Sequence, residues 1–147
     1  MQVTYADSNS IPELANLFDQ YRIFYEQETD IKGAIAFLNS RFKNKDSVIF
    51  IASENSGIVG FAQLYPSFSS VGMERIWILN DLFVSSNSRR QNIATKLMEA
   101  ARKHAEETGA LRVDLATQVS NTLAQKLYAS LGYSKNESFY HYSLPIE

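Results

Sequence analysis

Apolar residues recur at intervals of three and four in four stretches of the chain, and this spacing predicts four amphipathic helices. The first follows the polar run before Pro12 and ends near Tyr21, and the second begins at Asp30. The third runs from Asn92 to about Thr108, and a short fourth lies in the stretch NTLAQKLYASLG. The inward face of the third helix is predicted to be Ile93, Leu97, Ala101 and Ala105.

Alternating or continuous apolar runs between the helices predict six strands, several of them bounded by turn residues. The predicted strands are Gln2–Tyr5, Ser47–Ser53, Ile58–Tyr65, Glu74–Val84, Leu111–Thr117 and Glu137–Leu144. The resulting order is β-α-α-β-β-β-α-β-α-β, in which strands and helices mix without strict alternation. This order predicts an α/β (α+β) fold with a mixed sheet and helices on its faces, built as one domain of residues 1–147.

The composition narrows the possible functions without naming one. The net charge of −2 argues against a general nucleic-acid binder, which normally has a basic excess. The chain has no cysteine, so disulfides, thiolate metal sites and cysteine nucleophiles are excluded and a cytoplasmic location is expected. We interpret the two histidines, His104 and His141, as structural and expect no metal site. Neither a signal peptide nor a membrane-spanning run is predicted.

Two arginines, Arg89 and Arg90, stand directly before the third helix, where the helix start already carries partial positive charge. One interpretation is that they are solvated loop charges. The other is an anion site, in which free N–H groups at the helix start and the two guanidinium groups bind a phosphate. No GxxxxGK motif is present, so this is not the P-loop of a nucleotide hydrolase.

Two polar residues, Asn80 and Asp81, interrupt the apolar strand Glu74–Val84. A buried carboxylate is costly unless it is hydrogen-bonded or paired. One interpretation is therefore structural: a bulge, or an aspartate that accepts backbone N–H groups. The other is a place where the sheet opens and the polar groups of the strand face a ligand.

The fourth predicted helix begins at Asn121, a favourable N-cap residue. Leu123, Leu127 and Leu131 share one helical face and are predicted to be core. Tyr128 lies beside that line of leucines. Taken alone, Tyr128 is interpreted as an aromatic residue at the edge of the core.

Together, these stretches resemble the GNAT superfamily of acyl-CoA-dependent N-acetyltransferases. The central motif of that family is Gln or Arg, two residues, Gly, one residue, and Gly or Ala, and it reads RRQNIA over Arg89–Ala94. The second motif is an Asn-capped helix with a Tyr followed by a Gly-aromatic pair, here Asn121, Tyr128 and Gly132–Tyr133. The resemblance implies a mixed, mostly antiparallel sheet of six to seven strands, splayed between the fourth and fifth and flanked by about four helices.

The stretches YPSFSS, WILNDLFV and FYHYSL look closer to one branch of the superfamily, the diamine, polyamine and thialysine acetyltransferases and related bacterial proteins. Members of that branch are usually homodimers in which C-terminal strands meet or exchange. The aromatic stretch ESFYHYSL therefore predicts a homodimer.

The resemblance implies acetyl-CoA as co-substrate, with its pyrophosphate held at the start of the third helix. One departure from the motif is Asn92, which stands where the family has its first glycine; asparagine tolerates left-handed backbone better than most residues. The implied cofactor-binding residues are Leu82, Phe83, Val84, Arg89, Arg90, Gln91, Asn92, Ile93, Ala94, Thr95 and Asn121.

The family mechanism implies direct attack by an amine in a ternary complex, with Tyr128 protonating the departing sulfur. The base is Asp81 or an ordered water, because the polyamine branch has a glutamate where this chain has Asn80. The expected acceptor is a primary amine of polyamine, diamine or lysine-like type. Its implied binding residues are Tyr25, Glu26, Glu28, Tyr65 and Asp81, with Trp77 as a further pocket candidate.

Two other classes of protein remain open from the residues alone. A non-catalytic acyl-CoA-binding regulatory module would keep the phosphate site and lack the chemistry. A nucleic-acid or protein-docking domain would use the arginines for another partner, although the net charge disfavours nucleic acid. The run of carboxylates and aromatics around Tyr25 also has a plain interpretation as solvated charges beside core rings.

Overall fold

The computed structural model describes residues 1–89 and 92–146. The elements are β1 (Gln2–Tyr5), α1 (Ile11–Phe24), α2 (Ile31–Asn44), β2 (Val48–Glu54), β3 (Gly57–Ser69), β4 (Glu74–Val84), α3 (Ile93–Glu107), β5 (Val113–Leu115) and α4 (Thr122–Ser130). They form two compact units, of which the first ends at Leu115 and contains the sheet with α1, α2 and α3. The second begins at Ala116 and contains α4.

The sheet of the first unit has five strands in the order β1-β2-β3-β4-β5. The first four pair antiparallel, and β5 pairs parallel to β4. This last pairing joins Trp77–Leu79 to Val113–Leu115 and goes no further. The rest of β4, from Asn80 to Val84, therefore extends past β5 along an open edge, which agrees with the predicted splay between the fourth and fifth strands.

Opposite faces of the sheet carry α1 with α2 and α3. Phe61 packs in the core of α1, α2 and β2, whereas a Cβ on the adjacent Gly60 would lie 3.2 Å from the Leu97 side chain and 3.3 Å from that of Ile93. Successive strand residues point to opposite faces, so the two helix layers lie on the two sides of β3. Gly60 thus allows the first turns of α3 to approach β3 closely.

The predicted helix starts and inward faces are largely confirmed. The Asp30 side chain caps α2 by accepting from the Gly33 amide at 2.9 Å. All four predicted inward residues of α3 are buried, as the helical spacing requires. The first helix ends three residues later than predicted, at Phe24.

The predicted count of six to seven strands exceeds the five observed, because no strand forms over residues 137–144. The alternation of side chains in ESFYHYSL is typical of a strand. A strand also needs a neighbour for its N–H and C=O groups, and no ladder pairing forms along this segment among the described residues.

The predicted core face of the fourth helix is wrong at its first position. Leu123 is 78% exposed, whereas Leu127 and Leu131 are partly buried. The described part of the second unit contains one helix and no strand, so it offers few elements to cover that face. None of the helices in residues 1–89 and 92–146 is long and apolar enough to cross a membrane.

Candidate active site

A β-bulge places Asn80 and Asp81 at the point where the sheet opens. Gln63 pairs with Asp81 and the next residue, Leu64, pairs with Leu79, so Asn80 is the extra residue on β4. Asn80 is exposed and Asp81 is 6% exposed. The bulge of the structural interpretation is confirmed, and it lies where β4 extends past β5. That these polar groups face a ligand stays a prediction.

Two side-chain amides hold the buried carboxylate of Asp81. The Nε2 of Gln63 donates to Oδ2 at 2.9 Å, and the Nδ2 of Asn80 donates to Oδ1 at 3.1 Å. Side chains therefore satisfy this carboxylate, where the structural interpretation expected backbone N–H groups. Because each oxygen has two lone pairs, the carboxylate keeps acceptor capacity beyond these two bonds.

The phenol of Tyr65 lies in the same polar group on the α1/α2 face of the sheet. Burial raises the pKa of Tyr65 to about 12, with the negative charge of Asp81 as the next cause. The positive charge of the Arg41 guanidinium and a side-chain hydrogen bond with Gln63 oppose that shift in the pKa of Tyr65. Tyr65 therefore stays a protonated hydroxyl at physiological pH, so it can donate a hydrogen bond but does not act as a base.

The open edge of β4 presents backbone groups of Leu82 and Val84. The Ser85 amide donates to the Val59 carbonyl at 2.7 Å, which makes these two residues a hydrogen-bonded pair. In the alternation of an antiparallel ladder, the N–H and C=O groups of Val84 and Leu82 then point away from β3, whereas those of Phe83 point toward it. Of the three strand residues predicted to bind the cofactor, two thus point their backbone groups away from β3, toward the unpaired edge of β4.

The start of α3 borders a cavity of about 210 Å³. Asn92 has φ +60° and ψ 19°, which is the left-handed conformation that a motif glycine would adopt. The Asn92 side chain makes no cap to α3, so the first-turn amides stay available to a ligand. The cavity is lined by Val84, Ser88, Arg89, Asn92, Ile93, Ala94 and Thr95. Arg90 and Gln91, predicted for the same site, lie outside the described residues.

Arg89 bridges the α3 cavity and the aromatic end of α1. Its Nε donates to the Val84 carbonyl at 3.1 Å. The guanidinium carbon lies 5.7 Å from the ring centre of Phe83 and 5.9 Å from that of Phe24. These contacts place a cation at the end of the open strand edge.

The link between α1 and α2 holds three of the predicted acceptor residues. The ring of Tyr25 lies edge-on to Tyr21 and Phe24, each at 5.2 Å between ring centres. Glu26 adopts a left-handed backbone with φ +64°, and Glu28 contributes its carbonyl to the Arg22 side chain at 3.1 Å. The carboxylates of both glutamates belong to exposed residues.

Asp19 anchors this link from within α1, and sequence reasoning missed it. Its carboxylate accepts from the Thr29 hydroxyl at 2.6 Å and from the Asp30 amide at 2.7 Å. These bonds, that of the backbone first, lower the pKa of Asp19. The contribution of its ionised form is present above the usual pKa and is lost only as pH falls through the lowered value, so the anchor is intact at neutral pH. A buried charge on a mostly apolar helix face was the available signal.

Gln63 is the second residue that sequence reasoning missed. It is fully buried in β3, among apolar neighbours. A lone amide inside the run IVGFAQLY was the available signal, because a buried polar side chain needs a partner. The sequence does not show which strand supplies that partner.

Asn121 and Tyr128 belong to the second unit. The Asn121 side chain caps α4 by accepting from the Ala124 amide at 3.1 Å, as predicted. Tyr128 is partly buried, with its ring centre 6.1 Å from that of Tyr133. The Tyr133 amide also donates to the Tyr128 carbonyl at 3.0 Å, so the two tyrosines are linked within this unit.

Trp77 and His104 occupy the core on the α3 side of the sheet. The Trp77 Nε1 donates to the Thr108 hydroxyl at 2.9 Å, and the Tyr5 hydroxyl lies 2.8 Å from His104 Nδ1. Burial lowers the pKa of His104. These contacts agree with a structural role for His104 and with the core alternative for Trp77. No group of three or more potential metal ligands occurs in the described part of the chain.

Comparisons with known proteins identify the family. The profile described as the acetyltransferase (GNAT) family matches residues 11–133. The chain is 44% identical to a Bacillus subtilis (strain 168) protein named uncharacterized N-acetyltransferase YhfO, over 99% of this chain and 98% of the relative. A probable acetyltransferase of Haemophilus influenzae (strain ATCC 51907 / DSM 11121 / KW20 / Rd) is 33% identical over 79% of this chain and 82% of its own.

Among solved structures, the crystal structure of a probable acetyltransferase matches with a TM-score of 0.94 and 40% identity, over 100% of this chain and 99% of the other. The chain therefore belongs to the GNAT acetyltransferase family, and it is an N-acetyltransferase with the GNAT fold. The predicted fold class and enzyme class are confirmed.

Proposed function

We propose that this enzyme transfers an acetyl group from acetyl-CoA to a primary amine of polyamine, diamine or lysine-like type. The observation that carries this proposal is the buried, amide-held carboxylate of Asp81 beside the open backbone edge of Leu82 and Val84. An anion beside backbone donors suits a reaction in which a cationic amine approaches and an oxyanion develops.

The residues at the start of α3 fit the pyrophosphate of coenzyme A. The first-turn amides of Ile93, Ala94 and Thr95 border the cavity, and the left-handed Asn92 turns the chain into the helix without capping it. Arg89 and Arg90 would complete the anion site with their charges. The outward groups of Leu82 and Val84 would hold the pantetheine arm and the acetyl carbonyl, and Asn121 stays a predicted cofactor contact. When bound, acetyl-CoA supplies an acetyl group activated as a thioester.

We assign the proton transfers to Asp81 and Tyr128. An alkylammonium has a pKa of about 10.4, so the acceptor must lose a proton before its nitrogen attacks. Asp81, directly or through an ordered water, accepts that proton before the carbon–nitrogen bond forms. The nitrogen then loses its second proton to water as the amide forms. Tyr128 donates its phenolic proton to the sulfur as the carbon–sulfur bond breaks. The chain has no cysteine, so attack by the amine in a ternary complex is preferred to a cysteinyl acyl-enzyme.

The α1–α2 link supplies the proposed acceptor channel. Tyr25 offers a ring face and the exposed residues Glu26 and Glu28 offer negative charge, which together suit a flexible cation. Tyr65 would donate its hydroxyl deeper in the site, near Asp81. A second ammonium group on a diamine or polyamine would lie against the link while the first reacts.

Charge reversal at the arginines tests the cofactor site. We expect Arg89→Glu with Arg90→Glu to weaken acetyl-CoA binding by more than about 100-fold, since each charge-assisted bond is worth about 1.5–3 kcal/mol. Isothermal titration calorimetry measures this, first with acetyl-CoA and then with ADP as a fragment.

The matched control for that experiment is Arg102→Glu with Lys103→Glu. It changes the net charge equally, at exposed positions in the last turns of α3. Acetyl-CoA binding that survives charge reversal at residues 89 and 90, or that falls equally in the control, would contradict the proposed anion site.

We also propose that the enzyme is a cytoplasmic homodimer. A chain without cysteine suits a reducing compartment. Several large apolar side chains near its C-terminus are exposed and available for a second copy. These side chains are Phe139, Tyr140, Tyr142 and Leu144.

Light scattering after size exclusion tests the dimer. We expect twice the chain mass of 16.6 kDa for the wild type and a single chain mass for Tyr140→Asp with Tyr142→Asp. Introduced carboxylates would be desolvated in a shared apolar interface, which is costly. A wild-type monomer at micromolar concentration would refute the dimer.

A further inference from the structure

The buried amide of Gln63 is the polar group that the proposed mechanism leaves unused. Its side chain is fully buried, and it lies directly across from Asp81 in the β3–β4 ladder. An apolar side chain of similar length, such as methionine, would fill the same volume without the cost of burying an amide. The contacts of this amide therefore indicate what it contributes.

Gln63 donates a short hydrogen bond to Asp81 and also interacts with the Tyr65 hydroxyl, whose pKa it lowers. Its Nε2 donates to Oδ2 at 2.9 Å, whereas its Oε1 is buried and accepts no hydrogen bond from the described residues. The donor orientation fixes the side chain, because turning the amide over would aim an oxygen at a carboxylate. Gln63 thus holds the Asp81 carboxylate from inside the protein.

Asn80 holds the other oxygen of the same carboxylate from the outside. Its Nδ2 donates to Oδ1 at 3.1 Å, and the residue is exposed. Water can replace an exposed donor when the Asn80 side chain is removed. Gln63 is fully buried, so bulk water does not readily replace its donor, and the two amides have unequal importance for Asp81.

We propose that Gln63 is the positioning residue of the acetyl-transfer site, which sets the orientation of the Asp81 carboxylate toward the acceptor amine. This inference rests on the proposed function, because it acts through Asp81. Gln63 holds one oxygen and leaves the remaining lone pairs of the carboxylate to the amine proton. A misplacement of about 1 Å at a reacting group can cost about 100-fold in rate.

The test compares Gln63→Leu and Gln63→Met with Asn80→Ala in steady-state assays with acetyl-CoA and a diamine. We expect the Gln63 variants to lose about 10- to 100-fold in kcat with the KM for acetyl-CoA unchanged, and Asn80→Ala to lose less. Thr108→Val is the stability control, because it removes a partly buried hydrogen bond, that of the Trp77 Nε1, on the other face of the sheet from Asp81. Gln63→Met keeps the experiment valid if the branched leucine does not fit.

The pH profile of Gln63→Glu distinguishes a positioning role from a purely structural one, which would leave that profile unchanged. Two facing carboxylates share a proton, so the acidic limb of the kcat/KM profile is expected to shift to higher pH. The other charged or titratable groups that act on this network are Tyr65, Arg41 and Asp46, and all remain unchanged in the variant. An acidic limb identical to that of the wild type would count against the positioning role.

A crystal structure of Gln63→Met separates this inference from the proposed function, because it needs no turnover. We expect the Asp81 carboxylate to leave its position when the buried donor is gone. Gln63 variants with wild-type kcat, pH profile and Asp81 conformation would overturn the inference while an active wild type leaves the function standing. A wild type without turnover would refute the function, and the Asp81 conformation in the variant would still decide the role of Gln63.

Discussion

Replacing Tyr128 with phenylalanine is expected to lower kcat by about 100-fold or more, the usual contribution of a general acid. The substitution removes only the hydroxyl and keeps the ring that lies beside Tyr133. Without a proton donor, the sulfur departs as a thiolate, whereas thiols have a pKa of about 8.5 and normally leave more readily when protonated. The affinity for acetyl-CoA is expected to stay unchanged, because this hydroxyl acts on the leaving group in the transition state.

The measurement follows coenzyme A release with a thiol-reactive chromophore, and calorimetry gives the affinity. The enzyme has no cysteine, so every thiol detected comes from the reaction. Ser134→Ala is the matched control, because it removes a hydroxyl from an exposed residue of the same unit, outside the proposed dimer surface. Equal turnover in Tyr128→Phe and wild type would remove Tyr128 from the acid role.

Replacing Asp81 with asparagine is expected to lower kcat/KM for alkylamines by about 100-fold or more at neutral pH. The variant should fold, because Gln63 can turn its amide and present Oε1 to the new Nδ2. The loss is expected to shrink as pH rises, since the neutral fraction of an amine with a pKa of about 10.4 grows about tenfold per unit. The pH profile of kcat/KM in both proteins measures this.

The same experiment separates the two candidate bases. If an ordered water alone accepts the proton, Asp81→Asn will keep most of its activity at pH 7. Asp114→Asn serves as the control, because Asp114 pairs with Arg112 in a partly exposed position. A loss of less than about threefold, equal to that of the control, would contradict Asp81 as the base.

The elements of the first unit were predictable because local physics determines them. Helical spacing in α3 and the apolar pattern of the second and third predicted strands are properties of neighbouring residues, and the structure confirms both. The prediction of a strand over residues 137–144 was wrong, because a strand needs a pairing partner and the alternation of side chains does not show whether one is present. The prediction that Leu123 is core was wrong for a similar reason, since helical spacing identifies an apolar face without showing what covers it.

The site was only partly predictable. The motif positions 89–94 and the interruption at Asp81 were visible as violations of ordinary helix and strand chemistry. Gln63 was not identified, because its meaning comes from cross-strand register and from a bulge one residue long. Asp19 was also missed, because its partners Thr29 and Asp30 lie in a link whose path the sequence does not determine. The roles of the site residues remain predictions.

The most direct test of the central claim is the rate of thiol release from acetyl-CoA by the wild-type enzyme, measured with and without each member of a panel of polyamines, diamines and lysine analogues. The account predicts saturable, amine-dependent release of coenzyme A, with an acetylated amine as the product in mass spectrometry. Acetyl-CoA binding without acceleration by any primary amine in the panel would contradict it.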